Sequence, residues 1–142
     1  MSNALGLIRA DHVALRVPDY DATIAFYTDI LGFELVKEWT LPDALPGARF
    51  AHVALGSFEV EVIGGGQLTT IVPTLDVGDH LGRGGYGHLC LRVKDLDATV
   101  AGLKDNGVAI LAEPFEVEPI GQRLAMIYDN SGNIIELAQA TV

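Results

Sequence analysis

Residues 12–23, His-Val-Ala-Leu-Arg-Val-Pro-Asp-Tyr-Asp-Ala-Thr, return at 88–99 as His-Leu-Cys-Leu-Arg-Val-Lys-Asp-Leu-Asp-Ala-Thr, an offset of 76 that keeps the His, Leu, Arg, Val, both Asp, the Ala and the Thr in place. Farther along, Leu31-Gly32 answers Asn106-Gly107 and Val60-Glu61-Val62 answers Ile135-Glu136-Leu137, both at an offset of 75. One residue is lost between the copies, near the end of the first helix of each. A chain that repeats in this way is built from two copies of one supersecondary unit. Each copy opens on a His and closes on a Glu, so the repeat brings two imidazoles and two carboxylates to equivalent positions. These are ligand types that divalent metals take.

The pattern within each copy gives the order of its elements. Asp11 to Val17 alternates, with His12, Ala14 and Arg16 on one face and Val13, Leu15 and Val17 on the other, as a strand requires. Pro18-Asp19 breaks it, and Ile24, Tyr27 and Leu31 then fall at helical spacing, which predicts a helix over Tyr20 to Leu31 capped by Gly32. Phe33 to Trp39, Ala48 to Leu55 and Phe58 to Ile63 read as three further strands, parted by a Pro-containing loop and by the Gly56-Ser57 turn. The unit is βαβββ. The second copy predicts a strand at His88 to Val93, a helix at Leu96 to Asn106, and strands near Val108 to Leu111, Arg123 to Tyr128 and Asn133 to Gln139. Between the copies, 64–87 holds eight of the sixteen glycines and reads as a flexible connector. Gly82-Arg-Gly-Gly-Tyr-Gly87 matches a dinucleotide-binding phrase literally, but it precedes a strand and offers no helix terminus to a pyrophosphate.

With 142 residues the chain suits one domain, 1–142, made of a first module at 9–63 and a second at 88–139. The class expected is α+β. A formal charge of -10 and the lack of a basic cluster argue against nucleic acid and against an anionic membrane surface. Cys90 is the single cysteine, so no intrachain disulfide forms, and the N-terminus lacks a signal-peptide pattern, which makes the cytoplasm the expected location. No apolar run approaches the roughly 20 residues of a membrane-spanning helix.

The paired βαβββ units, the phrase Phe26-Tyr-Thr-Asp-Ile-Leu-Gly-Phe33, the opening Gly87-His88-Leu89 and the closing Asp129-Asn-Ser-Gly-Asn-Ile-Ile-Glu-Leu137 resemble the vicinal oxygen chelate superfamily. That superfamily includes glyoxalase I, methylmalonyl-CoA epimerase, extradiol dioxygenases and metal-free bleomycin resistance proteins. The resemblance spans nearly the whole chain and implies the glyoxalase/bleomycin resistance/extradiol dioxygenase fold, in which two modules form a cupped half-barrel within one chain or across a homodimer. Fold alone does not choose the activity. Carried over residue by residue, the family's metal site falls on His12, Glu61, His88 and Glu136. Glu59 shares a strand face with Glu61, but only Glu61 stands 75 residues before Glu136, so Glu61 is the candidate ligand. Two imidazoles and two carboxylates suit one divalent ion, Ni, Co, Zn, Mn or Fe(II), better than Ca.

The function this implies is a metal-dependent lyase or isomerase of glyoxalase type, which removes a proton beside the chelated oxygens of a small-molecule substrate. Glu136 is the expected ligand and base, with Glu61 as the second catalytic carboxylate. Arg16 stands four residues after His12 on the same face and is placed like an Arg that glyoxalase I uses for glutathione, which makes it the candidate substrate-binding residue. Gly65 and Gly84 stand where further polar contacts to glutathione are expected. A metal-free binding module is the alternative class, and an extradiol dioxygenase a lesser one that would need His52, on a predicted strand, as its acid-base group. His80 has no assigned role, Cys90 reads as a small buried hydrophobe, and Trp39, Phe50, Phe58, Phe115 and Tyr128 suggest an apolar cleft.

Overall fold

The computed structural model describes residues 5–69 and 72–141, and the chain divides after Leu68 into two compact units. The first unit runs β1 (His12–Arg16), α1 (Tyr20–Ala25), β2 (Glu34–Thr40), β3 (Ala48–Leu55) and β4 (Phe58–Gly65). Its sheet has the order β1-β4-β3-β2, with β1 parallel to β4 and the other pairs antiparallel. A parallel pair cannot be closed by a tight turn, and everything between β1 and β4 serves as the crossover.

Alternation decides what each face of this sheet does. Val13 pairs with Val60, Leu15 with Val62 and Ala51 with Val62, and this apolar face is packed by α1 through Tyr20 and Thr23 and by Tyr27 beyond it. The register sends His12, Glu59, Glu61 and His52 to the opposite face. The second unit repeats the plan with α2 (Val77–Gly82), β5 (His88–Arg92), α3 (Leu96–Asp105), β6 (Ile110–Val117), β7 (Gln122–Tyr128) and β8 (Ile134–Ala140), in the sheet order β5-β8-β7-β6. Ile135, Leu137, Ala125 and Ile127 are buried on its apolar face, with Leu96, Val100 and Leu103 of α3 also buried. The α+β class and the paired βαβββ modules are as the repeat predicts.

The Asp-x-Asp-Ala-Thr part of the repeated phrase is scaffold. Asp19 caps α1 by accepting from Ala22 N at 2.9 Å, and Asp95 caps α3 by accepting from Ala98 N at 3.0 Å. Thr23 and Thr99 each donate their hydroxyl to the backbone carbonyl of the capping Asp at 2.7 Å. Asp21 receives Arg49 at 3.0 and 3.1 Å, while Asp97 receives Arg123 at 2.8 and 3.0 Å, which ties each helix start to a strand of its own sheet.

Three elements differ from expectation. The helix predicted over Tyr20 to Leu31 is α-helical only to Ala25 and continues as a π-helix over Phe26–Ile30, with Leu31 N donating to Phe26 O at 3.2 Å. Six α and five π residues do here what ten residues of α3 do in the second unit. This is the extra residue behind the change of offset, absorbed as a widened turn. The connector expected to be flexible contains α2, capped by Asp76, which accepts from Asp79 N at 2.7 Å. The strand expected near Val108 to Leu111 lies at Ile110–Val117, because Glu113 and Pro114 at a register shift are compatible with a longer edge strand.

Candidate functional site

In the first unit the polar face of the sheet gathers five groups. β1 and β4 place His12 opposite Glu59, while β3 and β4 place His52 opposite Glu61. His12 Nε2 lies 3.6 Å from Glu61 Oε2, too long for a good hydrogen bond. His52 Nε2 lies 3.1 Å from the same oxygen, and one ligand atom from each of His12, His52 and Glu61 falls within 4.8 Å of the others. The remaining imidazole nitrogens are held by acids: His12 Nδ1 donates to Asp11 Oδ2 at 2.9 Å and His52 Nδ1 to Glu59 Oε2 at 2.5 Å. The bond from His12 holds the Asp11 carboxyl below its ordinary range. His52 is buried, and its ring lies 4.7 Å from that of His12 and 5.3 Å from Trp39, which in turn stacks on Phe50.

The second unit carries the matching pair in different surroundings. His88 Nε2 lies 3.4 Å from Glu136 Oε2, and Nδ1 of His88 meets Nε2 of His80 at 2.8 Å. His80 is buried on α2, and desolvation first, then the neighbouring His88, lowers its pKa, so the neutral ring can accept from His88. Burial first, then its hydrogen bond to Glu136, pushes the Cys90 thiol up to about 11. Where the first unit has Glu59, His52 and Ala14 around its pair, the second has Ile134, Met126 and Cys90.

The predicted residues therefore come together as two His–Glu pairs, His12 with Glu61 and His88 with Glu136, each within its own unit. In both, Nδ1 is anchored and Nε2 faces the carboxylate. That is the arrangement in which a histidine ligates a cation, with its other ring nitrogen fixed by an outer partner. The donor set fits a divalent transition ion on this ground.

Arg16 is differently employed. Its guanidinium donates to the carbonyls of Val17 at 3.2 Å, Ile63 at 3.1 Å, Gln67 at 3.0 Å and Gly65, and so pins the chain where it leaves β4. Trp39 and Phe50 line a cleft of about 290 Å³ with Tyr20, Glu38, Thr40 and Arg49, a more polar lining than an apolar cleft implies. Cys90 is exposed.

Sequence reasoning weighs His52 only as an acid-base group for a dioxygenase, passes over Asp11, gives Glu59 no role and leaves His80 unassigned. For His52 beside Glu61 a signal existed. The two-residue Gly56-Ser57 turn pairs Leu55 with Phe58, and counting outward from it sets His52 opposite Glu61. For His80 there was none, since its approach to His88 depends on a helix within a glycine-rich stretch.

The family model described as "Glyoxalase/Bleomycin resistance protein/Dioxygenase superfamily" matches residues 9–137. The chain is 30% identical over 134 residues to the mitochondrial methylmalonyl-CoA epimerase of Bos taurus, covering 93% of this chain and 74% of that protein. It is 30% identical over 136 residues to a probable lactoylglutathione lyase of Synechocystis sp., covering 92% and 94%. Among solved structures, that of SMU.1112c superposes with a TM-score of 0.75 at 27% identity, covering 94% of this chain and 99% of the other.

Proposed function

Because the chain belongs to the glyoxalase/bleomycin resistance protein/dioxygenase superfamily, we propose that it is a metal-dependent lyase or isomerase of glyoxalase type. Its substrate is a small molecule with two neighbouring oxygens, and its ligands to one divalent ion are His12, Glu61, His88 and Glu136. Relatives named as an epimerase and as lactoylglutathione lyases support the reaction class. The observation that carries the reading is the twofold occurrence of one arrangement, an anchored imidazole with Nε2 turned to a carboxylate at 3.6 and 3.4 Å.

Each residue has a task of its own. Asp11 and His80 fix the tautomers of His12 and His88, so that Nε2 of each ring carries the free lone pair. A divalent ion, when bound, stabilises negative charge on an oxygen next to the carbon that loses its proton. Glu136 takes that proton, with Glu61 as the second carboxylate. The Cys90 thiol, which stays protonated well above neutrality, donates to Glu136 and limits the directions in which its lone pairs point. Arg16 shapes the rim of the substrate site by holding Gly65 and Gln67. The active assembly in this reading is a homodimer.

Exchange of a substrate proton with solvent deuterium, followed by NMR, tests the proposal. The probes are 2-oxoaldehyde hemithioacetals and 2-substituted acyl-CoA esters. General-base catalysis contributes about 10²–10⁴-fold, and Glu136→Gln is expected to slow exchange on that scale while the circular dichroism stays unchanged. Exchange at the same rate in the variant would remove Glu136 as the base.

A further inference from the structure

The two units do not offer a cation the same thing. On the polar face of the second unit, the imidazole–carboxylate pair has Met126 beside Glu136 and Ile134 beside His88. On that of the first, the equivalent neighbours are His52 and Glu59. With Nδ1 of His52 bonded to Glu59, its Nε2 is turned to Glu61 Oε2 at 3.1 Å, and with Nδ1 of His12 bonded to Asp11, its Nε2 is turned to the same oxygen at 3.6 Å. Three potential ligand atoms thus converge within 4.8 Å, and His52 is 3% exposed. Of the three, His52 is buried, Glu61 half-buried and His12 exposed, and a cation among them would satisfy all three atoms at once.

We propose that the first unit binds a divalent transition-metal ion through three side chains of its own, His12 Nε2, His52 Nε2 and a Glu61 carboxylate oxygen, with Asp11 and Glu59 as the outer partners of the two rings. The proposal rests on the reading above in sharing His12 and Glu61, but it needs neither His88 nor Glu136. Two neutral imidazoles and one carboxylate on adjacent strands make a nitrogen-rich set with open positions, which suits Fe(II), Co, Ni, Cu and Zn and disfavours Ca and Mg. The ion is then seated by side chains of the first unit alone.

The test uses the full chain and the metals alone. Cu(II) and Co(II) are titrated into the unaltered protein, into H88A/E136Q, and into the same double variant with His52→Gln added. Gln keeps a polar group against Glu59 but supplies no imidazole, and circular dichroism checks that it folds. Pulsed EPR of the copper form counts coordinated imidazoles. We expect H88A/E136Q to keep about one ion per chain with two imidazoles. Adding His52→Gln is expected to reduce the count to one and to weaken binding by at least roughly tenfold, the lower end of what even outer partners contribute. An unchanged count and affinity would overturn the proposal. So would a double variant that binds nothing while the unaltered chain binds an ion, an outcome that keeps the four-ligand reading. An unaltered chain that takes up no ion would end both.

Discussion

The imidazole nitrogens carry most of the information in this molecule. Each candidate ligand ring has one nitrogen committed to a partner, His12 to Asp11 at 2.9 Å and His88 to His80 at 2.8 Å, and the other nitrogen is turned to a glutamate. Partners of this kind are not ligands, yet removing one typically costs about 10–100-fold in metal affinity. Asp11 is the clean place to measure it, since its side chain is 62% exposed and its loss leaves no cavity. Asp11→Ala should therefore weaken Zn or Co binding on that scale, with the melting temperature of the ion-free protein unchanged; equal affinity in a competition titration would show that the His12 tautomer does not depend on Asp11. Glycine matters at this scale at the end of β4, where a Cβ on Gly65 would run into the Gly47 carbonyl. A Cβ on Gly64 would run into Cβ and Cα of Tyr20, so β4 passes under α1 only because that position is bare.

Helix starts show how sequence becomes architecture. The Asp-x-Asp-Ala-Thr phrase of each copy supplies a cap, a hydroxyl bond and an arginine fork; the sequence shows that the phrase recurs where a helix starts, and the fold adds its arginine partners from a neighbouring strand. Replacing Asp19 or Asp95 by Ala removes the acceptor for a first-turn amide and should cost about 0.5–2 kcal/mol each in urea unfolding. A loss below a few tenths would mean that the first turn is held by packing alone. The fork gives a pH dependence as well. Its hydrogen bonds from Arg123 hold the Asp97 carboxyl below the ordinary 3.8. A depressed carboxylate adds stability above its unfolded pKa and loses it as pH falls through the folded one. The melting-temperature gap between the unaltered protein and Asp97→Asn should accordingly be present at pH 6 and close below about 3.8. A gap that is constant with pH would contradict the ion pair. The π turn at Phe26–Ile30 is half legible, since the one-residue change of offset announces an insertion but not how the helix absorbs it. α2 is hidden because glycines mask a short capped helix that buries His80.

Across the whole molecule, the repeat makes the two βαβββ units and the equivalence of Glu61 and Glu136 legible, because strand alternation and a fixed offset are enough to put matching residues on matching faces. It could not supply what breaks the symmetry. His52, Glu59 and His80 have no counterparts in the other unit, and a reading built on what two copies share passes over what only one of them has. Those unshared residues are where the two units differ in chemistry, with a nitrogen-rich triad in the first and a histidine relay in the second. The proposed chemistry requires a divalent ion at the His–Glu pairs. Elemental analysis of untagged protein, unaltered and as the His12→Ala/Glu61→Ala double variant, tests it most directly. Near-stoichiometric Ni, Co, Zn, Mn or Fe is expected in the unaltered chain, and its loss in the variant. Protein that takes up none of these ions after incubation with each of them, or a variant that keeps its metal, would contradict it.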